Sequence, residues 1–187
     1  KILHAYGISL FVTVFGTLAG LAMTLMLAYP LSRPDLPGRR VFSFYVLFTL
    51  LFNGGLVPSY IMWTTIFHIK NTIWALVIPN LMVKAFFVIM ARSYFKSNIP
   101  LEIIESARID GASEIGIFTR IVLPLAKPIV STLLLFIGLS YWNDWNNGLI
   151  YLTDSSLYSI QNVLNEMIKS ITSLSTMGGS VSSMTTL

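Results

Sequence analysis

The sequence predicts an all-α membrane protein, a polytopic helical bundle, on three observations. Hydrophobic residues make up 55% of the 187-residue chain and charged residues only 11%, against roughly a quarter charged in an average soluble domain. Charge-free blocks long enough to cross a bilayer recur along the chain, whose mean hydropathy is +0.74. Of the 12 Lys and Arg residues, 8 fall in two stretches, 33–40 and 92–127, the pattern of basic loops kept on the cytoplasmic side. Cysteine is absent and the two histidines, His4 and His68, are far apart, which excludes disulfides, thiolate zinc and a histidine metal cluster. The net charge of +4 forms no basic stripe, so the expected partner is the lipid bilayer and not nucleic acid.

The first span is expected over 5–29, because no residue between Lys1 and Arg33 is charged and Ala5–Ala28 alone would rise about 36 Å as a helix. Ser9, Thr13, Gly16, Thr17, Gly20 and Thr24 recur at three- and four-residue steps, a small-residue face for close packing of another helix and not for transport. The second span, 41–62, is expected to be broken. Asn53-Gly54-Gly55 and Pro58 interrupt it, leaving a helix over Val41–Phe52 and an irregular re-entry leading into Tyr60–Phe67. A third span covers 71–91 and contains Pro79 and Lys84; a fourth covers 128–150 and contains Asp144. Four spans in a single domain place the amino terminus and a tail, 151–187, outside and both basic stretches inside. Nothing at the start reads as a cleavable signal peptide, and Ser170–Leu187, rich in Ser, Thr, Gly and Met, reads as a loop.

The stretch 92–127 is too long for a connector and resolves into two amphipathic elements separated by Asp110-Gly111. Pro100 suits a first helical position and Glu102 a first turn, with Leu101, Ile104 and Ala107 on one face. A second apolar face follows from Ile115, Phe118, Ile121 and Val122, closed by Leu123-Pro124. By physics alone this pair could equally lie on the lipid surface, and Glu105 could simply pair with Arg108 across three residues.

The run from Glu105 to Pro124 resembles the cytoplasmic signature of binding-protein-dependent ABC transporter permeases: E-A-A, three residues, G, nine residues, I-x-L-P. Glu105, Ser106 and Ala107 fall on the triplet, Gly111 on the glycine, Ile121 on the isoleucine, and Leu123 and Pro124 on the closing pair. Six identities at fixed spacing have a chance probability on the order of one in ten million per window; Ser106 for the central Ala is the one departure. The resemblance implies that Glu105, Ser106, Ala107, Asp110, Gly111, Ile121, Leu123 and Pro124 form a coupling loop docked on a separate ATPase subunit. In that role Ala107 allows close approach, Glu105 accepts from a basic partner residue, and Gly111 makes the turn. Asn71-Thr72-Ile73-Trp74-Ala75, Gly54-Gly55-Leu56-Val57-Pro58 and Trp142-Asn143-Asp144-Trp145 are similar to segments of the carbohydrate-importing, maltose-permease-like branch. The resemblance further implies a six-span fold of which about four are present. Its implied partners are an ATPase dimer, a second homologous permease chain and an extracytoplasmic solute-binding protein, its location the bacterial cytoplasmic (inner) membrane. It implies no cofactor in this chain, ATP and Mg being bound by the ATPase; no GxxxxGK[ST] occurs here.

Only 16 residues separate Lys127 from Asp144, about 24 Å of helix, which puts Asp144 within the membrane against a wet cavity or a partner. With Trp142, Asn143, Trp145, Asn146 and Asn147 it could form a sugar site, aromatic faces on the pyranose and amides on its hydroxyls. The alternative is an interfacial aromatic belt with a solvated carboxylate. Lys84 either snorkels to the cytoplasmic interface or lines the path and pairs with an acid. The function expected is the solute-path subunit of an ATP-driven importer for a sugar or oligosaccharide, and not an enzyme. A non-sugar importer permease and a secondary transporter or channel remain the alternatives.

Overall fold

The computed structural model describes residues 2–79 and 81–184, with side chains through residue 175; Lys1 and the last three residues of the expected outer tail lie outside them. Among the described residues every regular element is helical. Helix α1 spans Ile2–Ser32, about 46 Å, and among the described residues is the one helix long and apolar enough to cross a membrane alone. It ends where Pro34 pushes Arg33 out of helical geometry. Ser9, Gly16, Thr17, Gly20 and Thr24 are buried along it, so the small-residue face is a packing face. It receives α9 and α5, described below. The Tyr141 ring fills the space a Cβ on Gly16 would take, leaving only 2.5 Å, and the Met82 carbonyl lies 3.1 Å from where a Gly20 Cβ would sit.

Helix α2, Arg39–Leu51, and α3, Leu56–Ile61, which runs on into a π turn at Met62–Ile66, meet at a bend of 111°. The break is where the sequence put it. Gly55 sits at φ +90° and its N–H donates to Asn53 Oδ1 at 3.0 Å, a local turn that only a residue without a Cβ adopts readily. The helix resumes at Leu56 and not at Tyr60, because Pro58 falls within a first turn, where its missing N–H is not needed.

The block 71–91, expected as one span, is not one helix. A single turn, α4 (Trp74–Val77), gives way to an unwound stretch before α5 (Ala85–Asn98) begins. Pro79 interrupts the ladder, and two carbonyls of the unwound backbone are taken by side chains. Tyr141 Oη donates to Val77 O at 2.9 Å, and Asn147 Nδ2 donates to Pro79 O at 2.8 Å. Helix α5 also continues past Ala91, so 92–98 belongs to it and the basic loop begins only after Asn98.

The loop itself holds α6 (Leu101–Ile109), α7 (Glu114–Ile117) with a π turn at Phe118–Val122, and the short α8 (Leu123–Leu125). After an 84° bend comes α9 (Lys127–Trp142). The expected span 128–150 ends early, since residues 143–145 are non-helical and α10 (Asn146–Tyr151) is a separate element. Asp144 stands at this break, its carboxylate near the N–H groups of Asn146 and Asn147 that open α10. By length and composition the described helices make one crossing, or up to three if each bent pair is a span, against the four expected.

The tail read as a loop contains helix α11 (Ile160–Met184). Its start is pinned on the bundle by Ser9 Oγ, which accepts from Ile160 N–H at 2.8 Å, and by Asn162 Nδ2, which donates to Trp145 O at 2.7 Å. Asn71, at φ +55°, joins the third block to the end of α10, its Oδ1 accepting from Thr153 N–H at 2.7 Å.

Because Gly16 has no room for a methyl, Gly16→Ala is expected to destabilise the bundle by about 1–3 kcal/mol. Gly7→Ala, with nothing within 4 Å, should leave the melting temperature unchanged or slightly raised, and thermal unfolding in detergent compares the two.

Candidate functional site

Helix α6 starts after Pro100, which stands just outside the helix, and ends in a turn built on Gly111. Gly111 is left-handed, φ +82°; its N–H donates to Arg108 O at 3.0 Å and the Ala112 N–H to Ala107 O at 2.9 Å. This paired closure uses two carbonyls that a helix end otherwise leaves open, and it requires the positive φ. Ser113 then caps α7, accepting from Gly116 N–H at 3.2 Å. Asp110-Gly111 is thus a fixed reversal between two helices.

A charge network locks this reversal to the end of α1. The Arg108 guanidinium donates to Asp35 Oδ2 and to Glu114 Oε1, both at 2.6 Å. Glu114 Oε2 accepts from Tyr29 Oη at 3.3 Å, and Arg33 stands 3.5 Å from Asp35. The Arg108 hydrogen bond, more than any other influence, holds the Asp35 carboxyl below its ordinary value of 3.8, while the two carboxylates raise Arg108. Arg108 therefore pairs with Asp35 and Glu114 and not with Glu105.

Glu105 and Asp110 are exposed, and among the described residues their side chains meet no hydrogen-bonding or charged partner. Ser106 is exposed and its hydroxyl donates to Glu102 O at 2.7 Å. Ala107 faces the other way, 9% exposed within the chain's own core, so its small size serves internal packing and not approach to a partner. The second face is also redrawn: Ile117 and Val122 are buried, Phe118, Ile121 and Leu123 half-buried, Pro124 exposed, and Ile115 is 77% exposed. The π turn shifts the register by one residue, which a 3.6-residue period does not anticipate. Ile109, 87% exposed, joins Ile115 on the outer side of the turn.

The expected path residues gather at the two helix breaks. Lys84 ends the unwound stretch, donates from Nζ to Ser140 Oγ at 3.1 Å and lies within electrostatic reach of Asp144. Its side chain points at α9. Ser140 has no sequence signature, since one serine in an apolar helix carries no signal. The amides of Asn143 and Asn147 bind backbone, Leu139 O at 3.0 Å and Pro79 O. Trp142 meets the Tyr6 ring edge-on at 6.0 Å, while Trp145 is 44% exposed beside an exposed Asn146.

The profile of binding-protein-dependent transport system inner membrane components matches residues 7–183. The chain belongs to this family. The resemblance drawn from Glu105 to Pro124 is thereby borne out at the level of family and helical fold. This inner membrane component is 39% identical over 165 residues to Protein LplC of Bacillus subtilis (strain 168), covering 88% of this chain and 55% of the relative. It is 40% identical over 161 residues, 86% of this chain and 55% of the relative, to the polygalacturonan/rhamnogalacturonan transport system permease protein YtcP of the same organism. A third relative is the arabinooligosaccharides transport system permease protein AraQ of Halalkalibacterium halodurans, 29% identical over 83% of this chain and 55% of its own length. The chain spans about half the length of the curated relatives it matches. The relatives named for a role are transport permeases and not enzymes.

In this inner membrane component the Asp35 carboxyl is stabilised as the anion, so its tie to Arg108 is complete above about pH 4 and weakens as pH falls through its lowered value. A spin label at Ile109→Cys should gain mobility between pH 6 and pH 3. With Arg108→Gln it should be mobile at both, and electron paramagnetic resonance reads the difference.

Proposed function

We propose that the chain is the permease subunit of an ATP-driven, binding-protein-dependent importer for an oligosaccharide. The observation that carries the proposal is the arrangement of the α6–α7 turn. It presents Glu105, Asp110, Ile109 and Ile115 outward, while Arg108 fastens its back to the end of α1 through Asp35 and Glu114. A partner that grips the outer side thus moves the main helix of the bundle and not a loose loop. In this reading an ATPase subunit, which binds the ATP and Mg, docks on that side. Glu105 accepts from a basic residue there, and the two exposed isoleucines enter its cleft. A second homologous permease chain completes the path, and a solute-binding protein delivers solute outside. The residues assigned to the docked loop are Glu105, Ser106, Asp110, Gly111, Ile121, Leu123 and Pro124, with Ala107 holding the loop from within.

The path is assigned to the breaks between α4 and α5 and at 143–145, where Lys84 bonds the Ser140 hydroxyl and Asp144 lies within electrostatic reach of it. Interrupted helices supply such polar centres at membrane depth in transporters generally. The oligosaccharide assignment rests on relatives named for polygalacturonan/rhamnogalacturonan and for arabinooligosaccharides, and on Trp142, Asn143, Trp145 and Asn146 lying beside that centre.

Co-expression with the ATPase and second permease tests both halves. Glu105→Lys and Gly111→Pro are expected to abolish co-purification of the ATPase. Asp144→Asn should retain the ATPase but lower solute-stimulated hydrolysis roughly tenfold, the size of a coupling loss of 1–2 kcal/mol. Full stimulation by solute in Gly111→Pro, or uptake that proceeds without ATP, would overturn the assignment.

A further inference from the structure

The turn joining α1 to α2 gathers positive charge that the transport reading leaves without a task. Arg39, Arg40 and Arg92 line a cavity of about 640 Å³ together with Ser43. The Ser43 hydroxyl is buried with no hydrogen-bond partner. No acidic residue lines this cavity. Arg92 is oriented by donating from Nε to Leu31 O at 3.0 Å, and Arg39 is close enough to repel it. Helix α2 starts at the same place, with Gly38 as its N-cap and no side chain capping its first N–H groups, so the helix end adds further attraction for an anion. Arg39 also lines an adjoining cavity of about 390 Å³ with Arg33 and Lys96, where Glu102 is the one acid. Arg33 is only 5% exposed; it stands 3.5 Å from Asp35 Oδ1 and over the Tyr29 ring, with none of its guanidinium nitrogens hydrogen-bonded.

A second feature says which anion. Directly beside the basic cavity, and sharing Leu36 with it, an apolar cleft of about 810 Å³ runs between α1, α2 and α5. Leu27, Phe42, Val46, Val83 and Val88 are among its walls, and it contains no charged residue. A soluble phosphate would use the first half of this site and leave the second to water. A molecule with a phosphate at one end and a hydrocarbon chain at the other fits both.

We propose that the α1–α2 turn is a binding site for an acidic phospholipid. Its phosphate oxygens accept from Arg39, Arg40 and Arg92 and from the Ser43 hydroxyl, and one acyl chain lies in the α1–α2–α5 cleft. Planar guanidinium groups match phosphate two bonds at a time, and basic pockets between helix ends are where acidic headgroups gather. The site touches the same turn whose Asp35 holds Arg108, so an occupying lipid stiffens the attachment of the α6–α7 loop. Phosphatidylglycerol is the probe, phosphatidylcholine the neutral comparison.

Native mass spectrometry of the full-length protein in detergent, titrated with each lipid, reads the affinity. Phosphatidylglycerol is expected to bind roughly tenfold more tightly than phosphatidylcholine. Arg39→Gln with Arg40→Gln should remove that preference, and Arg39→Lys with Arg40→Lys should restore only part of it. Thr49→Trp, an exposed position in the cleft wall, should weaken phosphatidylglycerol with all arginines in place, whereas Lys169→Gln on α11 should change nothing. Inorganic phosphate at the same concentration should fail to displace the lipid. Equal binding of the two lipids, an unchanged preference in the double Gln variant, or displacement by phosphate alone as complete as by lipid would each overturn the proposal, the last in favour of a soluble anion.

Discussion

The structure depends on satisfying an unwound backbone inside an apolar bundle. Between α4 and α5 the chain gives up its own hydrogen-bond ladder, and an unpaired carbonyl in hydrocarbon costs several kcal/mol. Tyr141 Oη and Asn147 Nδ2 meet the Val77 and Pro79 carbonyls from α9 and α10. Those two bonds dictate much else. Tyr141 reaches Val77 only because Gly16 leaves space for its ring, and the Met82 carbonyl lies close to α1 only because Gly20 has no side chain. Asn147 is positioned because α10 begins afresh behind Asp144. The small-residue face, the helix break and the polar side chains of α9 and α10 are therefore one construction.

At the opposite end the organising force is electrostatic. Arg108 joins two carboxylates contributed by different parts of the chain, one before α2 and one opening α7. Exposed ion pairs are individually weak, roughly 0.2–1 kcal/mol, but here a single planar group spans both partners while Tyr29 holds Glu114 from behind. The Gly111 turn fixes the angle between α6 and α7 by backbone bonds alone. Turn and network act on different degrees of freedom, one setting the shape of the loop and the other its attachment.

What was legible in the sequence follows from the range of each interaction. The break at Asn53-Gly54-Gly55, the reversal at Asp110-Gly111 and the packing face of α1 are encoded within a few residues, and all three stand in the structure. The family was legible because its signature is a fixed local spacing. Pro79 and Asp144 stand inside blocks whose hydropathy predicts continuous spans. Hydropathy reports that a segment is apolar and is silent on whether distant side chains will take over its carbonyls. Ala107 faced inward against expectation for a related reason, since a small residue suits either side of a helix and tertiary contacts choose. Asp35 and Glu114 gave no signal as partners of Arg108, being 73 and 6 residues away from it. The serine- and threonine-rich end of the chain predicts a loop, because composition alone does not reveal a helix such as α11.

Among the described residues, helix α11 is anchored most firmly at its start. Ser9 receives the Ile160 N–H, and the Asn162 amide reaches Trp145 while packing so tightly on Gly148 that a Cβ there would overlap it. Beyond this anchorage Leu164, Met167, Ile168, Ile171 and Leu174 are exposed. The helix thus resembles a cantilever, its strongest described fixings gathered at the root. The few residues at the root set the direction in which the helix projects.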